Sequence, residues 1–238
     1  MRLVNPTIVR LSGQALLGRR RGLVLALLPA VVVALAIVVR ALTPQGTGYE
    51  IVGAVGFTLA LPLVALLASS AVLGPEIDDG SIVYLIAKPV PRHTIAISKY
   101  AVAWLATMVL GALPLFLAGL VLDSSDPRRA LAWTLAGIVA GTTYSALFLG
   151  LAALTRHAVV AGLLFVLLWE GLLGGLLNGI RWLAIGAWGR EVAAAVSDQV
   201  AAPGTGLTYA VVAAAVVSLG SVWFAGDRLR SFSLRGDE

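Results

Sequence analysis

Apolar residues in this chain gather into six long runs, at 22–42, 51–74, 101–122, 130–154, 158–177 and 207–226. Short polar connectors part them at 43–50, 75–100, 123–129, 155–157 and 178–206. A helix needs about 20 mostly apolar residues to cross about 30 Å of hydrocarbon, and each run reaches that length. The pattern predicts an all-α, polytopic membrane protein with six transmembrane helices. No internal repeat and no linker divides the chain, so 1–238 reads as a single transmembrane domain.

A shorter pattern precedes the first run. Asn5-Pro6 reads as a helix N-cap with proline at the first helical position. Val4, Ile8, Leu11 and Ala15 follow at spacings of three and four, with Arg10, Gln14 and the block Arg19-Arg20-Arg21 supplying polarity. This predicts an interfacial amphipathic helix within 1–21. A frayed tail is the plainer alternative.

Composition agrees with the pattern. Hydrophobic residues make up 59% of the 238 positions, charged residues 12%, and the mean hydropathy is +0.95, whereas soluble domains are about a quarter charged. The absence of cysteine excludes a disulfide framework, a thiolate metal site and a cysteine nucleophile. Two histidines, His93 and His157, are too few for a histidine metal cluster. The net charge of +5 would suggest nucleic acid in a soluble protein. Here it points to loops lying on anionic lipid, and no nucleic-acid partner is expected.

Lys and Arg set the orientation of membrane proteins. With the N-terminus inside, 12 of the 17 lie on the cytoplasmic side and 5 (Arg40, Arg128, Arg129, Arg181, Arg190) on the other. Both termini are therefore expected in the cytoplasm. A cleaved signal peptide fits poorly, because the first run exceeds a signal core of 7–15 residues and Arg40 spoils a small-residue cleavage site.

The connector at 75–100 stands apart. It reads Glu76-Ile-Asp78-Asp79-Gly80-Ser81-Ile-Val-Tyr-Leu85-Ile-Ala-Lys-Pro89-Val-Pro-Arg92, and Lys99 follows. Three acids within four residues have no purpose in crossing a bilayer. Alone they would simply solvate a helix end, as charge runs usually do. Gly80-Ser81 reads as a helix break and a new N-cap, and Ile82, Leu85 and Ile86 share one face of a short helix. Pro89 and Pro91 stop it, since each lacks a backbone donor and disfavours helix in its predecessor.

Glu76, Gly80, Ser81, Ile82, Leu85, Ile86, Pro89, Val90, Arg92 and Lys99 fall in register with a known loop. The segment resembles the cytoplasmic coupling loop, between spans two and three, of ABC transporter permeases of the second exporter class. Pro91 stands where that family more often has serine, which touches the local cap rather than the loop's role. Leu168-Trp169-Glu170-Gly171 with Arg181-Trp182-Leu183 looks like the family's fifth span and outer re-entrant segment, and Asp227-Arg228-Leu229 like its C-terminal exit. The resemblance implies a membrane-spanning exporter subunit in a bacterial plasma membrane, working with a second permease chain, identical or homologous, and two ABC ATP-binding subunits. ATP and Mg would then be held by those partners. The implied ATPase-coupling residues are Glu76, Asp78, Asp79, Gly80, Ser81, Leu85, Pro89 and Arg92, and the resemblance also implies an N-terminal amphipathic helix beside the ATPase.

Other chemistry is poorly supported. The chain has no Gly-Lys dipeptide and so no G-x-x-x-x-G-K-[ST] phosphate loop, and neither H-E-x-x-H nor G-x-S-x-G occurs. Asp79-Gly80 is followed by Val83-Tyr84 where lipid head-group transferases carry Ala-Arg. No cofactor, catalytic residue or metal is expected in this chain.

Glu170 is the one acid read deep within a span, about 20 Å from His157 on a continuous helix. Intramembrane acids are candidates for ion or substrate pathways. The alternative is a structural carboxylate held by Arg181, Arg40 or the backbone donors of a broken helix, which Gly171, Gly174, Gly175 and Gly179 favour. Thr143 and Tyr144, within Thr142-Thr143-Tyr144-Ser145, and Ser69-Ser70 are further polar positions in spans, where hydroxyls commonly bond to their own helix or a neighbour. Gly137-x-x-x-Gly141 permits close helix approach without locating the partner.

A membrane anchor for a soluble complex is the competing function. An ion-coupled carrier is weaker, since it should show several intramembrane charges or two related halves.

Overall fold

The computed structural model describes residues 4–16, 18–78, 91–174 and 179–231, with side chains except at 19–21, 74–78 and 230–231. Among these residues the regular structure is all helical. Helix α1 is Pro6–Leu16 and α2 is Arg19–Leu42. Helix α3 runs unbroken over 49–78, α4 is Arg92–Leu122, α5 is Pro127–Leu154 and α6 is Ala158–Leu173. Helix α7 is Ile185–Val196, after a 3-10 turn at Ile180–Leu183, and α8 is Leu207–Ser231.

Among the described residues five helices are long and apolar enough to cross a bilayer, namely α2, α3, α4, α5 and α8. The described part of the run predicted at 158–177 is the shorter apolar helix α6, and 175–178 lie outside the described residues. Helix α4 begins at Arg92, nine residues before its apolar run. Hydropathy marks the hydrocarbon-facing length, and the helix continues two turns beyond it. The connector predicted at 178–206 contains a whole helix, α7.

Helix α5 is the central post. It packs against α8, α7, α3 and α4, because its sequence offers small residues on several faces. Ala132, Ala136 and Ala140 are fully buried. On the adjacent line, a Cβ on Gly141 would lie 2.9 Å from Met108 and 3.1 Å from Thr107, and one on Gly137 would lie 2.9 Å from Leu115. The Gly-x-x-x-Gly pair therefore seats α4, as small-residue contacts do where lipid gives no hydrophobic drive to association. Helix α8 answers with its own small line, Ala210, Ala214, Ser218 and Ala225, all buried.

Three of the described helices carry a wide π-turn, at Ala54–Ala60, Met108–Ala112 and Phe165–Leu173. Two of these have a sequence cause. Pro62 and Pro114 lack an N–H and would clash with the carbonyl four residues back. The helix widens just before each, and the amides of Leu61 and Leu113 reach carbonyls five residues back, at Gly56 and Met108. The third turn has no proline and leads into the glycines after Glu170.

Helix α1 lies on α4 and α3, with Ile8, Ser12 and Leu16 buried. This face differs from the stripe read from sequence. Leu11 is 57% exposed and Val4 40%, because the helix turns its i, i+4, i+8 line inward. Asn5 caps it, accepting from the Thr7 amide at 3.0 Å.

Candidate functional site

The C-terminal part of α3 and the start of α4, which flank residues 79–90, lie side by side at one end of the bundle. The floor beneath them is a hydrophobic cluster of Ile8, Leu73, Ile95, Ala96, Leu149, Ala153, Ala225 and Leu229. It draws on α1, α3, α4, α5 and α8, so nearly every long element meets here.

Two polar contacts tie this end together. Lys99 is fully buried, and its Nζ donates to the Val72 carbonyl at 2.6 Å. A buried ammonium must find acceptors, and the Val72 carbonyl supplies one. On the preceding residue, Ser98 Oγ accepts from the Asn5 amide at 2.9 Å and donates to Thr94 O. One turn of α4 thus holds both α3 and the start of α1.

The predicted coupling residues divide as follows. Glu76 and Asp78 lie on the last turn of α3, with side chains outside those described. Asp79, Gly80, Ser81, Leu85 and Pro89 lie outside the described residues. Arg92 is the first residue of α4, behind Pro91, whose backbone is extended (φ −58°, ψ 135°) and which supplies no side-chain cap. Proline in place of serine thus offers no side-chain acceptor there, and the Ile95 amide makes the first helical bond, to Pro91 O at 3.3 Å.

The second predicted group lies elsewhere. Glu170, partly buried on the π-turn of α6, accepts from the amide of Ile185 at 2.7 Å and of Gly186 at 3.1 Å. The Tyr144 hydroxyl lies close by, 3.5 Å from where a Cβ on Gly186 would sit. The carboxylate therefore caps the N-terminus of α7, whose free amides and positive dipole end suit an anion. The position is crowded, for a Cβ on Gly186 would come 3.0 Å from Glu170 Oε2. Arg181 points elsewhere, to Pro203 O at 2.8 Å.

Tyr144 is buried and stacks on Phe148 with ring centroids 5.8 Å apart. Thr143 Oγ1 donates to Val139 O at 3.0 Å and meets Ser218 Oγ at 3.4 Å. Ser69 donates to Ser145 O, and Ser145 Oγ donates to Thr107 Oγ1. These hydroxyls bond back to helix carbonyls or across to neighbours, so they bind α5 to α3, α4 and α8.

The opposite end holds residues that the sequence reading passed over. Glu191, on α7 and 9% exposed, accepts from the amides of Gly204 and Thr205 and from the Thr205 hydroxyl at 3.0–3.3 Å. Gly204 and Gly206 sit at φ +83° and +85°, a region open to glycine. Asp126 caps α5 and accepts from Gln199. Arg129 bonds Gln199 and Gly46 O and lies 3.9 Å over the Tyr49 ring. The Ser125 hydroxyl and amide hold the Asp123 carboxyl below its usual range. Polarity alone hinted at these positions, since their partners come from distant connectors.

Among the described residues no group of three His, Asp or Glu side chains could hold a metal ion. Comparison with known proteins adds one positive result: the family model described as ABC-2 family transporter protein matches residues 17–177, more than half of the chain. No curated protein matches the chain.

Proposed function

The chain belongs to the ABC-2 transporter family, and from that premise we propose that it is the permease subunit of an ATP-driven exporter. Hydrolysis occurs in separate ATP-binding subunits, which hold the ATP and Mg, and a second permease chain completes the pathway. All six apolar runs cross the membrane, both termini are cytoplasmic, and α1 lies at the inner surface beside the ATPase. The segment 76–92 is the coupling element, with Glu76, Asp78 and Asp79 facing the ATPase.

One observation supports this reading above the others. Lys99 fastens α4 to Val72 of α3 at the end from which that segment emerges, and Ser98 fastens α1 beside it. A force applied to 76–92 is therefore delivered to two spans and the N-terminal helix as one unit. Beneath them, packing through α5 carries it onward, because close-packed interiors transmit displacement rather than absorb it.

Purification from the native membrane, with identification of the bound subunits, tests the proposal. An ABC ATP-binding subunit should accompany the chain. Reproducible recovery of a different soluble complex, with no ATPase, would replace the exporter reading with that of an anchor.

A further inference from the structure

Helices α4 and α8 converge at one end, where His93 stacks on Trp223 with ring centroids 4.5 Å apart. There a Cβ on Gly226 would lie 2.2 Å from His93 Nδ1. Away from that contact the two helices diverge across the face of α5. They leave an open slot of about 850 Å³, bordered by Tyr100, Ile138, Thr142, Ala215, Leu219 and Trp223. From the structure we infer that this slot is a resident lipid site, holding one acyl chain of a phospholipid.

Three observations lead there. The hydroxyls along the slot are already engaged by the protein, and the polar atom left over, His93 Nε2, is buried without a hydrogen-bond partner at the end closed by Trp223. Thr142 Oγ1 donates to Ile138 O and accepts from Trp104 Nε1, Tyr100 donates to Thr142 O, and Ser218 donates to Ala214 O. Along the rest of its length a sugar, peptide or ion would find no free hydroxyl, so its desolvation would go largely uncompensated, whereas an alkyl chain needs no partner. The slot's length is the second. On α8 it extends from Val211 to Trp223, a rise of about 18 Å at about 1.5 Å per residue, close to one leaflet of a core about 30 Å thick. The third is position. Its neighbours on α8, Val212 and Val216, are exposed apolar residues, so the opening faces hydrocarbon.

The site is distinct from the segment 76–92 and from Glu170. Its occupant wedges α4 from α8 along the part where they do not touch, and so sets the spacing of two spans on the central post.

The chain, with whatever subunits accompany it, is reconstituted in vesicles of phosphatidylethanolamine and phosphatidylglycerol, re-extracted in detergent, and assayed for bound phospholipid by native mass spectrometry. The unaltered chain should retain one phospholipid. Ala215→Trp, which fills the slot, should lower retention about tenfold, while Val216→Trp, one residue round the helix, should not. Ile97→Trp obstructs from the α4 wall and decides the matter if Ala215→Trp does not fold. No retained lipid in the unaltered chain, or equal retention in folded Ala215→Trp or Ile97→Trp, overturns the inference. So does a photo-reactive residue at 215 that crosslinks to a protein helix rather than to lipid.

Discussion

Lys99 Nζ donates to the Val72 carbonyl at 2.6 Å, and the lysine is completely buried. The bond links the last turns of one span to the first turns of the next, at the base of the segment proposed to meet the ATPase. Hydrogen bonds to charged groups contribute about 1.5–3 kcal/mol. Lys99→Met keeps the apolar stem and removes the donor, so the variant should unfold more readily by about that amount. It should also transport less substrate per ATP hydrolysed. Thermal unfolding in detergent and paired transport and hydrolysis assays on the reconstituted complex measure both. An unchanged ratio with unchanged stability would remove Lys99 from the account.

Glu170 is the next test. Its two oxygens satisfy separate amides of α7, and a buried amide left without a partner costs about 1–3 kcal/mol. Glu170→Leu orphans both, so it should reduce folded yield. Glu170→Gln keeps one acceptor and should retain much transport. A Gln variant that folds normally and transports nothing would assign Glu170 to the substrate or ion pathway instead.

Glu191 makes a separate prediction. It serves three donors of the turn before α8. Glu191→Ala should leave the bundle folded and free that turn. Hydrogen exchange should accelerate at the Gly204 and Thr205 amides while amides in α5 keep their protection. Unchanged exchange at 204 and 205 would show that the glycine-rich turn holds itself.

Orientation rests on the 12-to-5 division of Lys and Arg. The chain has no cysteine, so a single cysteine at Ser124 gives an unambiguous label. It lies between α4 and α5 and should react with an impermeant reagent from outside the cell. Reaction only from the cytoplasmic side would invert the topology.

The sequence made the helical class legible, because a run of 20 apolar residues has few structural solutions. Helix ends were less so. Arg92 to Lys99 looked like loop since it is polar, yet it forms two turns whose buried side, Ile95, Ala96, Ser98 and Lys99, packs under α1 and α3. The face of α1 that packs on the bundle was not legible for a related reason. Ile8, Ser12 and Leu16 are inward only because α3 and α4 lie there, and Ser12 carries no apolar signal. Glu170 was visible as a lone acid, but its partners Ile185 and Gly186 are backbone amides, which no side-chain pattern reveals. Glu191 was missed because it sits in a connector, where an acid is unremarkable until the fold buries it.

The central claim is that the segment 76–92 delivers the ATPase's work to α3 and α4. The most direct measurement is hydrolysis and transport together, in the complex reconstituted with its ATPase, for Glu76→Lys and Asp79→Lys. A like charge set against a partner costs several kcal/mol at an interface. Each variant should therefore insert normally yet lose ATPase binding, or hydrolyse ATP without moving substrate. Normal assembly with normal coupled transport in both variants would contradict it.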